Sequence, residues 1–313
     1  MRIAILGATS QIAKDLILSF SALSNIKLAL FARRPEAMTH WLSSVNLSDF
    51  CSSRDFCTFD VGEHFDAIIN FVGVGNPAQA AKMGASIFDV TLKYDELALN
   101  YVRQHPHCRY LFLSSGAAYG SSFDEPADEN TKAMVSINSF QAQDWYGVAK
   151  LHAECRHRTL SHLPIIDIRV FNYFSHTQDL SARFFITDTL RAIRSGETLI
   201  TSPDNIVRDY LGPDDFYQLV TLMLNAPPVN EVIDCYTRAP VEKMTLLSAM
   251  NCRYGLKYEV RAATAVGVNA TGMKWNYYSK NPRAARFGYV PSLTSLDTVL
   301  HEADRCFTPV TPI

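Results

Sequence analysis

The sequence predicts an α/β protein, a doubly wound parallel sheet followed by a smaller α+β part that caps it. Three features carry this expectation. Over the first 170 or so residues, short apolar runs alternate with stretches of helical period. The runs are near-continuous, as strands are when helices cover both faces of a parallel sheet. Beyond Asn172 the alternation fails, Tyr and Pro become frequent, and the pattern turns mixed.

Taken in order, residues 3–6 (Ile-Ala-Ile-Leu) form a first strand that meets the turn Gly7-Ala8-Thr9-Ser10-Gln11-Ile12-Ala13 and then a helix to about Phe20. Residues 27–32 make a second strand, and Arg33-Arg34-Pro35 opens a helix to about Ser43. Residues 56–59 and 66–72 are the expected third and fourth strands, 86–104 a long helix, and 110–114 a fifth strand. Helical period returns over 140–161, before a sixth strand at 165–170. The second part predicts a helix at 180–195, a short strand near Thr198, an extended stretch at 207–211 and a helix at 214–224. Residues 262–278 read as irregular, with two short helices near Pro282 and Thr294 closing the chain. The expected division is a first domain of residues 1–171 and a second made mainly of 172–313, with segments around 206–236 returning to the first. No internal repeat or low-complexity linker is present.

Composition narrows the function. With 313 residues, 48% hydrophobic and 19% charged, the chain is able to bury a large core. A net charge of -2 and a pI near 6.5, with no Lys/Arg run, leave no basic field for a nucleic-acid backbone. No apolar run approaches membrane-spanning length, and the N-terminus lacks the pattern of a signal peptide, so no membrane partner is expected. Seven scattered cysteines, none in C-x-x-C spacing, fit reduced thiols in a cytoplasmic protein and no metal site.

Chemistry concentrates in a few places. Gly7 tolerates backbone angles that a side chain forbids, and small Thr9 and Ser10 keep the turn tight, so the following helix points its free N–H groups and positive dipole end outward. Such an end binds phosphate, and the spacing matches a G-x-x-G-x-x-G dinucleotide loop with Ser10 and Ala13 at the second and third positions. By itself, a bland turn between a buried strand and a helix looks the same. At the end of the second strand, where NAD-binding loops carry an acid for the ribose 2′-hydroxyl, stand Arg33 and Arg34. They are suited to a 2′-phosphate, or else are solvated charges ahead of a helix. After the fifth strand comes Ser114-Ser115-Gly116-Ala117-Ala118-Tyr119-Gly120, and further on Tyr146 and Lys150, four apart and therefore on one helix face. An ammonium held near a phenol lowers its pKa, so Lys150 is expected to activate Tyr146 for proton transfer, with Ser115 bonding the substrate oxygen. An amphipathic helix with a buried Tyr and a solvated Lys is the plain alternative.

Together these pieces resemble the extended short-chain dehydrogenase/reductase family, in particular its nucleotide-sugar epimerases, dehydratases and reductases. The resemblance spans essentially the whole chain. It rests on the Gly7 loop, Asp60-Val61, Asn70-Phe71-Val72-Gly73, Ser114-Ser115 with Tyr119-Gly120, Tyr146 and Lys150, and Arg169-Val170-Phe171-Asn172. Later pieces are Arg208-Asp209-Tyr210 with Asp214-Asp215, and Asn281-Pro282-Arg283 with Gly288-Tyr289-Val290-Pro291. It implies a Rossmann-type fold in which Gly7, Thr9, Ser10, Gln11, Ile12, Arg33, Arg34, Asp60, Val61, Gly73, Tyr146 and Lys150 hold the cofactor. Asp60 faces the adenine, Gly73 lets the backbone approach, and Lys150 also holds the nicotinamide ribose. Ser115, Tyr146 and Lys150 are then catalytic, while Ser115, Asn172 and Arg208 bind substrate, the last two at the diphosphate of a nucleotide sugar. A planar guanidinium suits phosphate; a surface ion pair of Arg208 with Asp209, and Asn172 as a strand-end cap, are the alternatives. The resemblance also implies a homodimer through the helices carrying Tyr94 and Tyr146.

The chain departs from that pattern in places. Gly116-Ala117 stands where the dehydratases carry Asp-Glu after the serine, so the acid/base groups for eliminating water are missing. Tyr173-Phe174-Ser175 and Tyr210-Leu211-Gly212-Pro213 also replace the usual segments. The expected function is therefore an NADP(H)-dependent oxidoreductase acting on a nucleotide-activated sugar, reducing a keto sugar. An epimerase with bound NAD(P) and a non-catalytic NADP-binding sensor are the alternatives.

Overall fold

A computed structural model describes residues 1–74, 80, 82–262 and 274–307. Its centre is a seven-stranded sheet in which every neighbouring pair is parallel, built from β1 (Arg2–Leu6), β2 (Lys27–Ala32), β3 (Ser52–Asp55), β4 (Ala67–Asn70), β5 (Arg109–Ser115), β6 (Ile165–Val170) and, later in the chain, Glu231–Asp234. The spatial order β3-β2-β1-β4-β5-β6, continued by Glu231–Asp234, reverses direction between β1 and β4. In such sheets ligands lie at this switch point, beyond the carboxyl ends of the strands.

Helices α1 (Gln11–Ser21), α2 (Pro35–Ser44), α3 (Ser86–Gln104) and α4 (Trp145–Thr159) alternate with the strands. Pro35 begins α2, where its missing N–H costs nothing. On one face, Leu16, Ile17 and Phe20 of α1 pack against Ile3, Ile5 and Ile69; on the other, Leu99 and Val102 of α3 pack against Leu6, Ile68 and Phe112. Both faces are therefore dry, as the continuous apolar strands require.

The third strand differs from the expectation at 56–59. β3 is Ser52–Asp55, and Phe56–Thr58 is one 3-10 turn, opened by the Asp55 carboxylate accepting the Cys57 N–H at 2.8 Å. An edge strand half open to solvent needs no apolar run, so its Ser-Ser-Arg-Asp sequence hid it. The apolar signal came instead from rings beneath the turn: Phe59 packs on Phe31 at 5.1 Å and Phe56 on Tyr94 at 4.3 Å.

After β6 the chain forms β7 (Asn172–Tyr173), α5 (Phe185–Ser195), β8 (Thr198–Thr201), β9 (Val207–Arg208), β10 (Tyr210–Leu211) and α6 (Pro213–Asn225). Then follow β11 (Glu231–Asp234), β12 (Val241–Glu242), α7 (Lys243–Tyr254), β13 (Lys257–Val260), β14 (Asn276–Tyr277) and α8 (Ser295–Phe307). Several expectations change. Helix α5 starts at Phe185, not 180, because the Asp179 carboxylate turns back onto the Ser181 N–H and the Thr187 hydroxyl accepts the Phe184 N–H. The stretch 207–211 splits into strands of two different sheets, because Asp209 turns inward to Thr237 and Ser295. The 140–161 pattern becomes one 3-10 turn, Ala142–Asp144, and then α4, with the Asp144 carboxylate accepting the Gln141 N–H just before the helix. Near the end, Pro282–Phe287 is a 3-10 helix, but α8 runs for 13 residues. Within the range 262–278, residues 276–277 form β14, and 263–273 lie outside the described residues.

A buried charge network fixes α4 to the sheet. His157 is fully buried, with Nδ1 2.6 Å from Asp167 of β6 and Nε2 2.7 Å from Asp95 of α3. The Tyr110 hydroxyl donates to the same Asp95 oxygen and accepts from Asn70, both at 2.9 Å. Arg156 and Arg158 bond the second oxygens of Asp95 and Asp167. Burial alone would lower the His157 pKa, but Asp167 and Asp95 outweigh it and hold the imidazolium up to about 9. The sign follows from linkage: a pKa raised on folding stabilises fully below the unfolded value near 6.5, and that stability is lost as pH rises through about 9. Urea unfolding of the wild-type chain should lose up to about 3 kcal/mol from this site between pH 6 and 9.5. His157→Gln should lack that loss, and equal slopes in both proteins would show the histidine to be neutral. Taking the difference between them removes Lys150, whose lowered pKa acts with the opposite sign.

Candidate active site

The turn after β1 is built around Gly7. Its φ is +77°, and a Cβ there would lie 2.9 Å from the Val72 nitrogen and 3.0 Å from the Phe71 carbonyl carbon, so no other residue fits without moving backbone. Gly7 and Ala8 donate their N–H groups to the Phe31 carbonyl, which ties the turn to the end of β2. Ser10 precedes α1 with extended backbone and no side-chain cap, so the first N–H groups of the helix stay open to an anion, with exposed Thr9 beside them and half-buried Ile12 following. Gln11 is engaged elsewhere: its amide bonds Asp15 and Thr177, and Asp15 also accepts the Tyr173 hydroxyl at 2.8 Å. That cluster joins the start of α1 to the segment after β7.

Arg33 and Arg34 directly follow β2 and are exposed, with no ion pair among the described residues. Asp60 and Val61, in the loop after β3, are also exposed; one Asp60 oxygen accepts the Gly62 N–H at 2.8 Å. Gly73 lies past the end of β4, where a Cβ would come within 3.2 Å of the Lys150 ammonium. The described structure thus lines up the Gly7 turn, the end of β2 and Gly73 along the carboxyl edge of the sheet.

Ser115 ends β5, and α4 brings Tyr146 and Lys150 against it. The approach depends on Gly147, since a Cβ there would sit 2.4 Å from the Ala117 carbonyl oxygen. Ser115 Oγ bonds Tyr146, accepts the Ala117 N–H at 3.2 Å and lies 3.2 Å from the Tyr277 hydroxyl. Lys150 is buried, donates to the Leu113 carbonyl at 2.7 Å and sits 4.3 Å from the Phe112 ring centre but 5.9 Å from that of Tyr146. The expectation that Lys150 lowers the Tyr146 pKa does not hold in this structure. Burial raises the phenol above its usual value near 10, and the bond to Ser115 only partly offsets this. Burial likewise pulls Lys150 down to about 8, against Asp95, Glu154 and Asp167. The ammonium is committed to a carbonyl and a ring, so desolvation wins and Tyr146 rests as a protonated phenol.

Gly116 has its own reason. A Cβ at that position would meet the Phe171 ring at 2.4 Å, so no acidic side chain fits beside Ser115 unless Phe171 moves. Tyr119 points away from the site, its hydroxyl donating to Asp234 at 2.9 Å.

The second part of the chain supplies the facing wall. Arg208 of β9 lies opposite Tyr277 of β14 in register, its guanidinium carbon 5.8 Å from that ring centre. It donates to the carbonyls of Val207 (2.8 Å) and Lys274 (2.7 Å) and has no carboxylate partner among the described residues. The suggested ion pair with Asp209 is absent, because Asp209 is buried and bonded to Thr237 and Ser295. Burial lowers the Arg208 pKa, but a guanidinium starts so high that it stays charged. The Asn172 amide donates to the Asp209 carbonyl at 3.1 Å, bracing the strand next to it. The sequence reading passed over Tyr277 and Lys274, which stand at this wall. Neither has a motif around it, and both fall where the pattern read as irregular.

The chain is similar to known proteins in sequence pattern and in fold. The sequence model described as the NAD dependent epimerase/dehydratase family matches residues 3–235. No curated protein matches the sequence significantly. Among solved structures, a UDP-glucuronic acid 4-epimerase from Bacillus cereus, in complex with UDP-glucuronic acid and NAD, is 15% identical with a TM-score of 0.78, covering 98% of this chain and 99% of that one. A UDP-glucose 4-epimerase from Thermotoga maritima with UDP-glucose is 17% identical (TM-score 0.77; 97% and 98% covered). A dTDP-glucose 4,6-dehydratase from Bacillus anthracis with NAD is 16% identical (TM-score 0.77; 97% and 96% covered). With its Rossmann-like parallel sheet and a family match over most of its length, the chain belongs to the NAD dependent epimerase/dehydratase family, of the extended short-chain dehydrogenase/reductase type.

Proposed function

We propose that this protein is a cytoplasmic NADP-dependent oxidoreductase that reduces a keto group on a nucleotide-activated sugar. The observation that carries the reading is the meeting of Ser115, Tyr146 and Lys150 at the edge of the sheet. A reductase needs an acid to deliver a proton to the carbonyl oxygen, whereas oxidation of an alcohol starts with a base. The nicotinamide, when bound and reduced, supplies the hydride. In this reading Ser115 orients the substrate oxygen, Tyr146 donates its phenolic proton to it, and Lys150 with Gly73 accommodates the cofactor ribose. Gly7, Thr9, Ser10, Gln11 and Ile12 form the pyrophosphate turn, and Asp60 with Val61 borders the adenine. Asn172 and Arg208 face the substrate diphosphate. Residues 1–171 then hold the cofactor and 172–313 mainly the substrate, with segments around 206–236 returning to the first part.

A second reading, an epimerase that passes hydride out and back on a retained cofactor, is favoured by the family match and by the 4-epimerases among the similar structures. A dehydratase is disfavoured by Phe171 filling the space beside Gly116. A non-catalytic sensor would have no need of Ser115 and Tyr146 in contact.

Tyr146→Phe removes only the hydroxyl. Turnover of a keto sugar nucleotide should fall at least about 100-fold while NADPH binding is kept, and unchanged turnover in the cofactor-saturated variant would remove Tyr146 from the mechanism.

Arg33 and Arg34 support NADP(H), since both are exposed, lack a carboxylate partner among the described residues and stand where an acid would repel the 2′-phosphate. Calorimetric titration should show NADPH binding at least about tenfold tighter than NADH, and changing both arginines to Ala should abolish the preference. Tighter NADH binding, or a preference that survives, would refute the assignment. A full complement of non-exchangeable oxidised cofactor in the purified protein would instead favour the epimerase.

A homodimer through α3 and α4 is part of the same reading, supported by the side-by-side packing of these helices and by Leu92 lying exposed on α3. Sedimentation at micromolar concentration should give twice the 35.0 kDa chain mass; monomer alone would exclude the dimer.

A further inference from the structure

Beside Arg208, the facing wall of the candidate site holds another cation that nothing above uses. Lys274 is only 8% exposed, yet its ammonium forms no ion pair and no hydrogen bond among the described residues. Every Asp and Glu of the chain lies within those residues, because 75–79, 81, 263–273 and 308–313 contain none. Among the described residues, what faces the ammonium is aromatic: the Tyr277 ring centre at 4.4 Å and the Phe123 ring centre at 5.4 Å. Two ring faces recover only part of the hydration that a buried ammonium gives up. Burial and neighbouring Arg208 lower its pKa to about 8, and Asp144, whose carboxylate is engaged with the Gln141 N–H, only partly opposes them. The charge is therefore held at a cost that an anion would remove.

Two details place that anion at the sugar and not at the diphosphate. Arg208 already bonds two carbonyls and faces Tyr277 from a greater distance, 5.8 Å. Lys274 lies closer to the same ring, whose hydroxyl is 3.2 Å from Ser115 Oγ, the oxygen proposed to hold the reacting end of the substrate. We propose that Lys274 is a specificity-determining residue that pairs with a carboxylate on the sugar, so that the substrate class is a nucleotide-activated acidic sugar. This inference rests on the nucleotide-sugar reading above.

The test uses the full chain saturated with NADPH and measures dissociation constants by calorimetry for UDP, UDP-glucose and UDP-glucuronic acid. If GDP is the nucleotide that binds, GDP, GDP-mannose and GDP-mannuronic acid replace them. The wild-type protein should bind the acidic sugar nucleotide at least tenfold more tightly than the neutral one. Lys274→Met should erase that preference and leave affinity for the nucleoside diphosphate within twofold. Arg208→Ala should weaken all three ligands together. Lys274→Arg, which keeps the charge, should retain the preference, and it serves as the folded comparison should the Met variant not fold. Equal binding of acidic and neutral sugars by the wild type would overturn the inference, as would loss of UDP or GDP affinity in Lys274→Met matching its loss of acidic-sugar affinity. Failure of the wild type to bind any of these nucleotides would overturn the nucleotide-sugar reading itself.

Discussion

The geometry of the site depends on one buried arrangement, the imidazolium of His157 held between the carboxylates of Asp95 and Asp167. It joins α3, α4 and β6, and through Tyr110 and Asn70 it reaches β5 and β4. Burying three charged groups is costly unless each is paired and its remaining hydrogen-bonding capacity is met. Here Arg156, Arg158 and Tyr110 meet it. The position of α4 is thereby fixed in rotation and depth, and Tyr146 and Lys150 lie on its opening turns. The same carboxylates, with Glu154, also hold Lys150 nearer its charged form than burial alone would leave it. One network thus both places the site's amine and sets part of its electrostatics.

Space is the second constraint, and it acts through backbone contact. Gly7 allows the first turn to touch the chain after β4, and Gly147 allows α4 to rest on the loop that follows Ser115. At both positions a Cβ would meet backbone atoms, which cannot move aside as a side-chain tip can. Gly116 shows the converse. There the absent side chain leaves room for the Phe171 ring, which belongs to an aromatic cluster with Tyr119, Phe123 and Tyr277. An aromatic ring therefore fills the space beside Ser115.

Charges are divided by the same logic. Arg156, Arg158 and Arg169 are paired with buried carboxylates and hold the interior together. Arg33 and Arg34, at the end of β2, and Arg208 with Lys274, around Tyr277, have no carboxylate partner among the described residues. Cations without a carboxylate partner suit anionic ligands, and the paired ones serve packing.

Much of this was legible in the sequence because local periodicity reports burial directly. The continuous apolar runs of β1, β2, β4, β5 and β6 announce strands covered on both faces, and the Gly7 turn announces the first crossover. Tyr146 and Lys150 share a helix face by spacing alone, and Ser115 follows a strand, so their meeting at the sheet's edge follows from the fold class. The edge strand β3 was not legible, because a half-exposed strand carries no apolar signature and the rings next to it imitate one. Nor was the inward turn of Asp209, which split an apparent single strand and left Arg208 without the partner beside it in sequence. The surroundings of Tyr146 were not legible for a related reason: spacing places Lys150 near the phenol, but desolvation and a carbonyl acceptor 37 residues away determine what that ammonium does. Tyr277 and Lys274 reach the site from more than 100 residues beyond Lys150 in the chain. Their roles depend on which rings, carbonyls and charges surround them after folding, a long-range property that no local pattern encodes.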